Sequence, residues 1–249
     1  MSVNKRRKRV VTSPLKENRR DERFVSAMIL GDNHGYRMKS YGPLPLVSFH
    51  DKTLLEHQVD AIKAVYRNYE IILCCGFQSD KVFKFVRKNM PLENIRIVEN
   101  QIYNSSNDAE SARICLNNTM NDNVVIIDGS VAVTPECLKE VSNTNNCIVT
   151  QPKDKESFFE IGVVDSGGVV QNMSVGQHEH RWVEVVGLTD KHSIEVMQSV
   201  LADQDYKTRL LFEAVNDSID RGVKFVPSRL TDYTVMSVNN IKSFRKIQQ

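Results

Sequence analysis

Three short stretches of this chain carry residue types that handle phosphates and metal ions. The first is Gly31-Asp32-Asn33-His34-Gly35-Tyr36-Arg37-Met38, which comes after an apolar run at residues 24–30. A strand that empties into a glycine-containing loop, with an arginine just beyond, suits cradling phosphate oxygens by backbone N–H groups. On this reading Gly31, Asp32, Asn33, Gly35 and Arg37 face a nucleotide. His34 contacts an anion when protonated, or is a plain surface histidine. In the second stretch, Asn107 and Ser111 lie four residues apart at a predicted helix start, which puts an amide and a hydroxyl on one side near free backbone donors. Such groups read a base edge or hold a phosphate; equally, Asn107 caps the helix, with Glu110 completing a capping-box-like turn. The third is Asp128, which ends the run Val124-Val125-Ile126-Ile127 and so stands at the carboxyl edge of a buried strand, where open α/β sheets bind ligands. His178-Glu179-His180 has alternate histidines with metal-clipping spacing, but a polar turn with no third ligand in view reads as a solvated loop.

The elements that must position these residues alternate. Apolar runs at 24–30, 71–75, 95–98 and 124–127 read as strands, and amphipathic stretches at 81–88 and 109–118 read as helices. Thr134-Pro135 opens another helix, with Thr134 as N-cap. That rhythm predicts a parallel sheet covered on both faces. After about residue 146 it changes. Residues 147–151, 158–165, 169–173 and 182–187 read as strands, with Ser166-Gly167-Gly168 as a hairpin turn. Helices come next at 191–201 and 209–221, strands at 223–226 and 234–236, and a last helix at 239–247.

Of the chain's 249 residues, 41% are hydrophobic, enough for one large domain with a real core. No apolar run approaches the roughly 18 residues that cross a bilayer, and the basic, polar N-terminus has no signal-peptide core. Charge is uneven: residues 1–23 carry a net of +6 against +2 for the whole chain. The expected organisation is therefore a basic tail over 1–23 and a mildly acidic body over 24–249. Lys5-Arg6-Arg7-Lys8-Arg9 reads as a nucleic-acid arm, a nuclear address or a solvated leader. Five cysteines without a C-x-x-C pair read as buried small hydrophobes in a reducing, cytoplasmic compartment.

The glycine loop and the segments after it resemble the sugar-phosphate and phosphocholine nucleotidyltransferases, which read roughly L-A-A-G-x-G-x-R-M, then P-K-P-L and L-L-E-H. Gly35, Arg37, Met38 and Leu54-Leu55-Glu56-His57 match. Ile71–Phe77 resembles the second strand and its G-[YF] turn, with Gly76 at the nucleotide. Asn100, Tyr103, Asn107 and Ser111 match the N-x-x-Y-x-x-x-N-x-x-x-S signature of the phosphocholine cytidylyltransferase branch. The resemblance implies a three-layer α/β/α domain with a mostly parallel mixed sheet, GT-A-like and Rossmann-like. It also implies a nucleotide or nucleotide-sugar ligand, Mg²⁺ or Mn²⁺ on two aspartates, and an acceptor pocket near Trp182 and Glu184.

The sequence departs from that pattern at charged positions. Asn33 replaces the first loop glycine, Leu44 the lysine, Ser130 the metal-binding member of the D-x-D pair, and Ser237 the second aspartate. A hydroxyl is a poor substitute for a carboxylate on hard Mg²⁺. The expected protein is a divergent member that binds a nucleotide or nucleotide-sugar without the usual chemistry. Two alternatives stay open: an active nucleotidyltransferase, and a glycosyltransferase with Asp128 as sole catalytic and metal-binding residue, acting on nucleic acid through the tail. A register shifted by one or two residues would instead pair Asp128 with Asp232.

Overall fold

The computed structural model describes residues 21–141, 145–152, 160–176, 178–232 and 235–247. The basic run lies outside the described residues, and so does nearly all of the expected tail. Strand β1 (Asp21–Leu30) starts three residues before the apolar pattern predicts. The glycine loop comes next, then single 3-10 turns at Lys39–Tyr41 and Leu44–Leu46. A small hairpin, β2 (Ser48–Phe49) and β3 (Lys52–Thr53), leads into helix α1 (Leu54–Val65). Thr53 Oγ1 accepts the Glu56 N–H at 3.2 Å and Glu56 Oε2 accepts the Thr53 N–H at 2.7 Å, a reciprocal cap that fixes where α1 starts. Then come β4 (Tyr66–Cys75), α2 (Ser79–Asn89), β5 (Ile95–Glu99), α3 (Asp108–Leu116) and β6 (Val124–Asp128). After β7 (Val131–Ala132), α4 (Pro135–Val141) opens with Thr134 Oγ1 accepting the Cys137 N–H at 3.3 Å, as expected of its N-cap.

The second half contains β8 (Cys147–Pro152), β9 (Ile161–Ser166), β10 (Val169–Val175) and β11 (His180–Leu188). Helices α5 (Lys191–Leu201) and α6 (Leu211–Asp220), strands β12 (Val226–Arg229) and β13 (Met236–Ser237), and helix α7 (Ile241–Ile247) complete it. β12 starts three residues later than predicted because the Val223 N–H is still held by Ser218 O at the end of α6, 3.0 Å away. α7 starts late because Asn239 and Asn240 are used elsewhere: Asn239 O accepts the Tyr36 N–H at 2.8 Å, and Asn240 Oδ1 accepts the Lys242 N–H at 2.9 Å.

One nine-stranded sheet organises the molecule, running β10-β9-β11-β6-β1-β4-β5, with β8 on β11 and β12 on β8. β6, β1, β4 and β5 are parallel, and β11 joins β6 antiparallel, giving the mixed sheet expected. Alternation along β1 and β4 splits the core in two. Val25, Ala27, Ile29, Leu73 and Cys75 pack with α1, α2 and α4, whereas Met28, Leu30, Ile72 and Cys74 pack with α3, α5 and α6. The neighbours Cys74 and Cys75 thus go to opposite faces, and all five cysteines are buried and free. No helix among the described residues is long and apolar enough to cross a membrane.

Candidate functional site

The carboxyl ends of β1 and β6, the glycine loop, the start of α3, Glu184 of β11 and the turn at Asn239 enclose a cavity of about 430 Å³. That lies within the usual range for small-ligand sites. Asp32, Asn33, Gly35, Asn107, Asp128, Leu44 and Ser130 line it, joined by His34, Tyr36, Tyr103, Asp108, Glu184 and Asn239.

Four of the predicted ligand contacts lie elsewhere. A Cβ on Gly31 would come within 2.7 Å of Pro45 Cγ, and one on Gly76 within 2.6 Å of Tyr103 Cβ, so both glycines serve close packing beneath the loop. Ser111 is fully buried behind the cavity wall. Arg37 is exposed, with φ 59° and its guanidinium 5.0 Å from the centre of the Tyr36 ring. The phosphate cradle predicted for the loop is also partly spent internally. The His34 N–H donates to Asn33 Oδ1 at 2.7 Å, the Tyr36 N–H to Asn239 O at 2.8 Å and the Gly31 N–H to Cys74 O at 3.0 Å.

Asp32 is the best-supported polar group here. Its Oδ2 accepts from Asn100 Nδ2 at 2.8 Å, and that amide also meets Ser106 Oγ at 2.9 Å and Ser111 Oγ at 3.3 Å. Burial pushes its carboxyl above the ordinary carboxylate range, and the bonds from Ser111 and Asn100 pull back against that. Asn107 does cap α3, its Oδ1 taking the Asp108 N–H at 3.1 Å. The capping box does not form, because Glu110 forks onto Arg113 at 2.7 Å and the Asn107 N–H goes to Lys207 O at 2.8 Å.

Asp108 Oδ1 accepts the Leu211 N–H at 2.9 Å, tying α3 to α6, and burial raises its carboxyl to about 7. Asp128 Oδ1 accepts the Ser130 N–H at 2.7 Å, and its carboxyl is likewise raised by burial. Glu184 sits at a register shift between β11 and β8, with φ 61°. Its neighbour Trp182 turns into the core, Nε1 donating to Val185 O at 3.1 Å. Burial first, then the charge of Asp128, lifts the Glu184 carboxyl to about 8.

Of the three neutral positions, Ser130 and Ser237 meet, while Leu44 lies in the apolar cluster beside Val238. Ser130 Oγ and Ser237 Oγ are 3.0 Å apart and share a hydrogen bond, and the Val238 N–H donates to Ser130 O at 2.7 Å. Leu44 is buried in an apolar cluster with Met38, Val47, Phe49, Leu54, Val238 and Phe244. Asp232 is exposed and does not line the cavity, so the shifted register gains no support. The donor set fits Mg²⁺ or Mn²⁺ poorly. The two hydroxyls satisfy each other, Asp128 is engaged with the Ser130 amide, and among the described residues no three His, Cys, Asp or Glu lie close enough to hold an ion. His178 packs over Gly162 and bonds Ser174 Oγ at 3.1 Å, in keeping with a structural histidine.

Sequence reasoning misses Asp108. At the first position of a helix an aspartate reads as a partner for the helix dipole, and nothing local announces that α6 will bury it. The sequence puts Glu184 on the right strand, but the irregular pairing that brings its carboxylate to the cavity has no sequence signal.

No family model matches this sequence, and no curated protein matches it by sequence. Solved structures do. A CTP:phosphocholine cytidylyltransferase from Streptococcus pneumoniae superposes with TM-score 0.73 at 18% identity, over 90% of this chain and 97% of its own. The inositol-1-phosphate CTP transferase from T. maritima gives 0.72 at 13% identity, over 92% and 95%. A UDP-glucose pyrophosphorylase complexed with UDP-glucose gives 0.68 at 10% identity, over 91% and 97%. The chain has the three-layer nucleotidyltransferase fold, in a divergent form.

Proposed function

We propose that this chain is a nucleotide- or nucleotide-sugar-binding protein on a nucleotidyltransferase fold, without the nucleotidyl-transfer reaction. The observation that carries the reading is the Ser130–Ser237 hydroxyl pair at 3.0 Å. Where the family resemblance calls for two carboxylates on one ion, two hydroxyls bond each other. Nucleotidyl transfer needs triphosphate charge neutralised by metal and lysine, and Leu44 stands at the lysine position. The solved cytidylyltransferase and the UDP-glucose complex that share the fold support a ligand of nucleotide class. On this reading Asn33, Gly35 and Asn107 contact the ligand, and Asp128 shapes the floor of the cavity through the Ser130 amide.

Calorimetry against nucleoside mono-, di- and triphosphates and nucleotide-sugars, with and without Mg²⁺, tests it. Binding that gains little from Mg²⁺, with no pyrophosphate released from any triphosphate, is expected. The triple substitution Leu44→Lys, Ser130→Asp, Ser237→Asp should make nucleotide binding metal-dependent, because two carboxylates hold the ion and the lysine helps offset phosphate charge. Robust pyrophosphate release by the unmodified protein, abolished by Asp128→Asn, would overturn the proposal.

A further inference from the structure

We infer that the outward face of α2, together with the segment at residues 36–42, is a binding face for single-stranded nucleic acid. The inference goes beyond the cavity and does not depend on what the cavity takes. Val82 and Val86 turn one side of α2 to the core, which leaves Lys81, Lys84, Arg87 and Lys88 exposed on the other. Lys81, Lys84 and Lys88 follow the spacing of one helical stripe, about 10 Å long at 1.5 Å per residue. Asp80 is the only acid of the helix, and it lies 3.6 Å from Lys84. Among the described residues Lys81, Arg87 and Lys88 have no ion pair. Arg87 and Lys88 suit the negative end of the helix, but Lys81 stands in its first turn, where the dipole opposes a cation. Helix electrostatics alone therefore does not account for the stripe.

The segment at 36–42 extends the same face. Lys39 Nζ lies 5.9 Å from the centre of the Phe77 ring, and a Cβ on Gly42 would come within 3.8 Å of Gln78 Oε1, so this segment docks where α2 begins. It adds the exposed cations Arg37 and Lys39 and no acid. The body from residue 24 onward is acidic overall, so the face is a local reversal of charge. Three rings stand out among the cations: Tyr36, Tyr41 and Phe83 are 67%, 46% and 49% exposed. Cations that track a sugar-phosphate backbone, interleaved with rings on which bases stack, are what a single strand needs. An acidic peptide would use the charges and leave the rings bare. An anionic membrane needs a continuous apolar face, and Phe83 is the one large apolar side chain exposed on α2.

The test uses the full chain with Lys5, Arg6, Arg7, Lys8 and Arg9 all changed to Gln, so that the basic run cannot supply the binding. Fluorescein-labelled oligo(dT) of about 12 nucleotides, within the usual site size, is titrated by anisotropy over a salt series. It should bind, and the affinity should fall as salt rises. Lys81→Gln, Lys84→Gln and Lys88→Gln together should weaken binding roughly tenfold or more at about 0.1 M salt. They should also lower the slope of log affinity on log salt by about two, from three phosphate contacts at about 0.7 each. Lys81→Arg, Lys84→Arg and Lys88→Arg together should retain the affinity, which separates lost charge from a lost fold. Phe83→Ala should weaken oligo(dT) roughly fivefold, the loss of one stacked base, and leave binding of inorganic polyphosphate unchanged. No binding of the oligonucleotide, or an unchanged salt slope in the glutamine variant, would overturn the inference. So would tighter binding to polyglutamate or to phosphatidylserine vesicles than to oligo(dT).

Discussion

Asp32 and Glu184 line the same cavity, but among the described residues only the Asp32 carboxylate has its hydrogen-bond network, while Glu184 Oε2 has no partner. Asp32 receives the Asn100 amide at 2.8 Å, and Asn100 is itself fixed by Ser106, Ser111 and the Ile102 N–H, its Oδ1 3.1 Å from the latter. The network joins the loop after β1 to the turn after β5 and the first turn of α3. Among the described residues, Glu184 has an oxygen without a hydrogen-bond partner and no lysine or arginine beside it in the cavity lining, and its backbone is left-handed. Buried polar groups are normally satisfied, and an exception held on a strained backbone marks a place kept for something else. The Asp32 network is frame, and Glu184 has no such network among the described residues.

The largest effect that would break this contrast comes from Asp32→Ala. It removes the charged partner of the Asn100 amide, leaving that amide only Ser106 and Ser111, and should cost about 1.5–3 kcal/mol, read as a lower midpoint in urea with an unchanged slope. A loss under about 1 kcal/mol would mean the network is not frame.

Glu184→Gln should act with the opposite sign. Its folded carboxyl is raised from 4.5 to about 8, and that of Asp108 from 3.8 to about 7. Both groups therefore favour the folded state fully below their ordinary values, and this advantage disappears as pH climbs through about 7 to 8. Thermal melts of the parent should fall between about pH 4 and pH 8 by more than those of Glu184→Gln. At the top of that window the variant should melt higher, by about 2–4 °C per kcal/mol recovered. Parallel pH profiles for the two proteins would show that Glu184 already has a partner.

The frame is more legible in the sequence than the wall, for a physical reason. Strands such as 71–75 and 124–127 announce themselves because period and apolarity are local properties of the chain. Ser130 and Ser237, 107 positions apart, can be paired only through resemblance to proteins that carry carboxylates there, and the 3.0 Å contact agrees with that pairing. Burial of Asp108 by α6, and the pairing irregularity that puts Glu184 at the cavity, depend on how distant segments dock. Gly31 and Gly76 read as phosphate-loop glycines because glycine in a loop signals close approach. Here the groups approached are Pro45 and Tyr103.

Smaller effects sharpen the same contrast. Ser130 and Ser237 share one hydrogen bond, so a double-mutant cycle with Ser130→Ala and Ser237→Ala should give a coupling of about 0.5–1.5 kcal/mol in urea denaturation. Coupling near zero would mean the two hydroxyls do not meet in solution.

The smallest expected change in stability is at Arg37. Its side chain is exposed, and its contact is with the face of Tyr36, 5.0 Å from the ring centre. A cation over an exposed ring contributes about 0.5–1 kcal/mol at most, so Arg37→Ala should leave the midpoint nearly unchanged. Ligand binding is where the residue should count. Tyr36 lines the cavity, and Arg37, next to it in the chain though not in the lining, matches the family arginine. Lys39 also lies over an aromatic face, 5.9 Å from the centre of Phe77, but matches no family position. Arg37→Ala should therefore weaken binding of a nucleotide found by calorimetry several-fold more than Lys39→Ala, with the gap narrowing as salt rises to screen the exposed charge. Equal losses at the two positions would reduce Arg37 to one more surface cation. The cavity would then meet its ligand through Asn33, Gly35 and Asn107 without a contribution from Arg37.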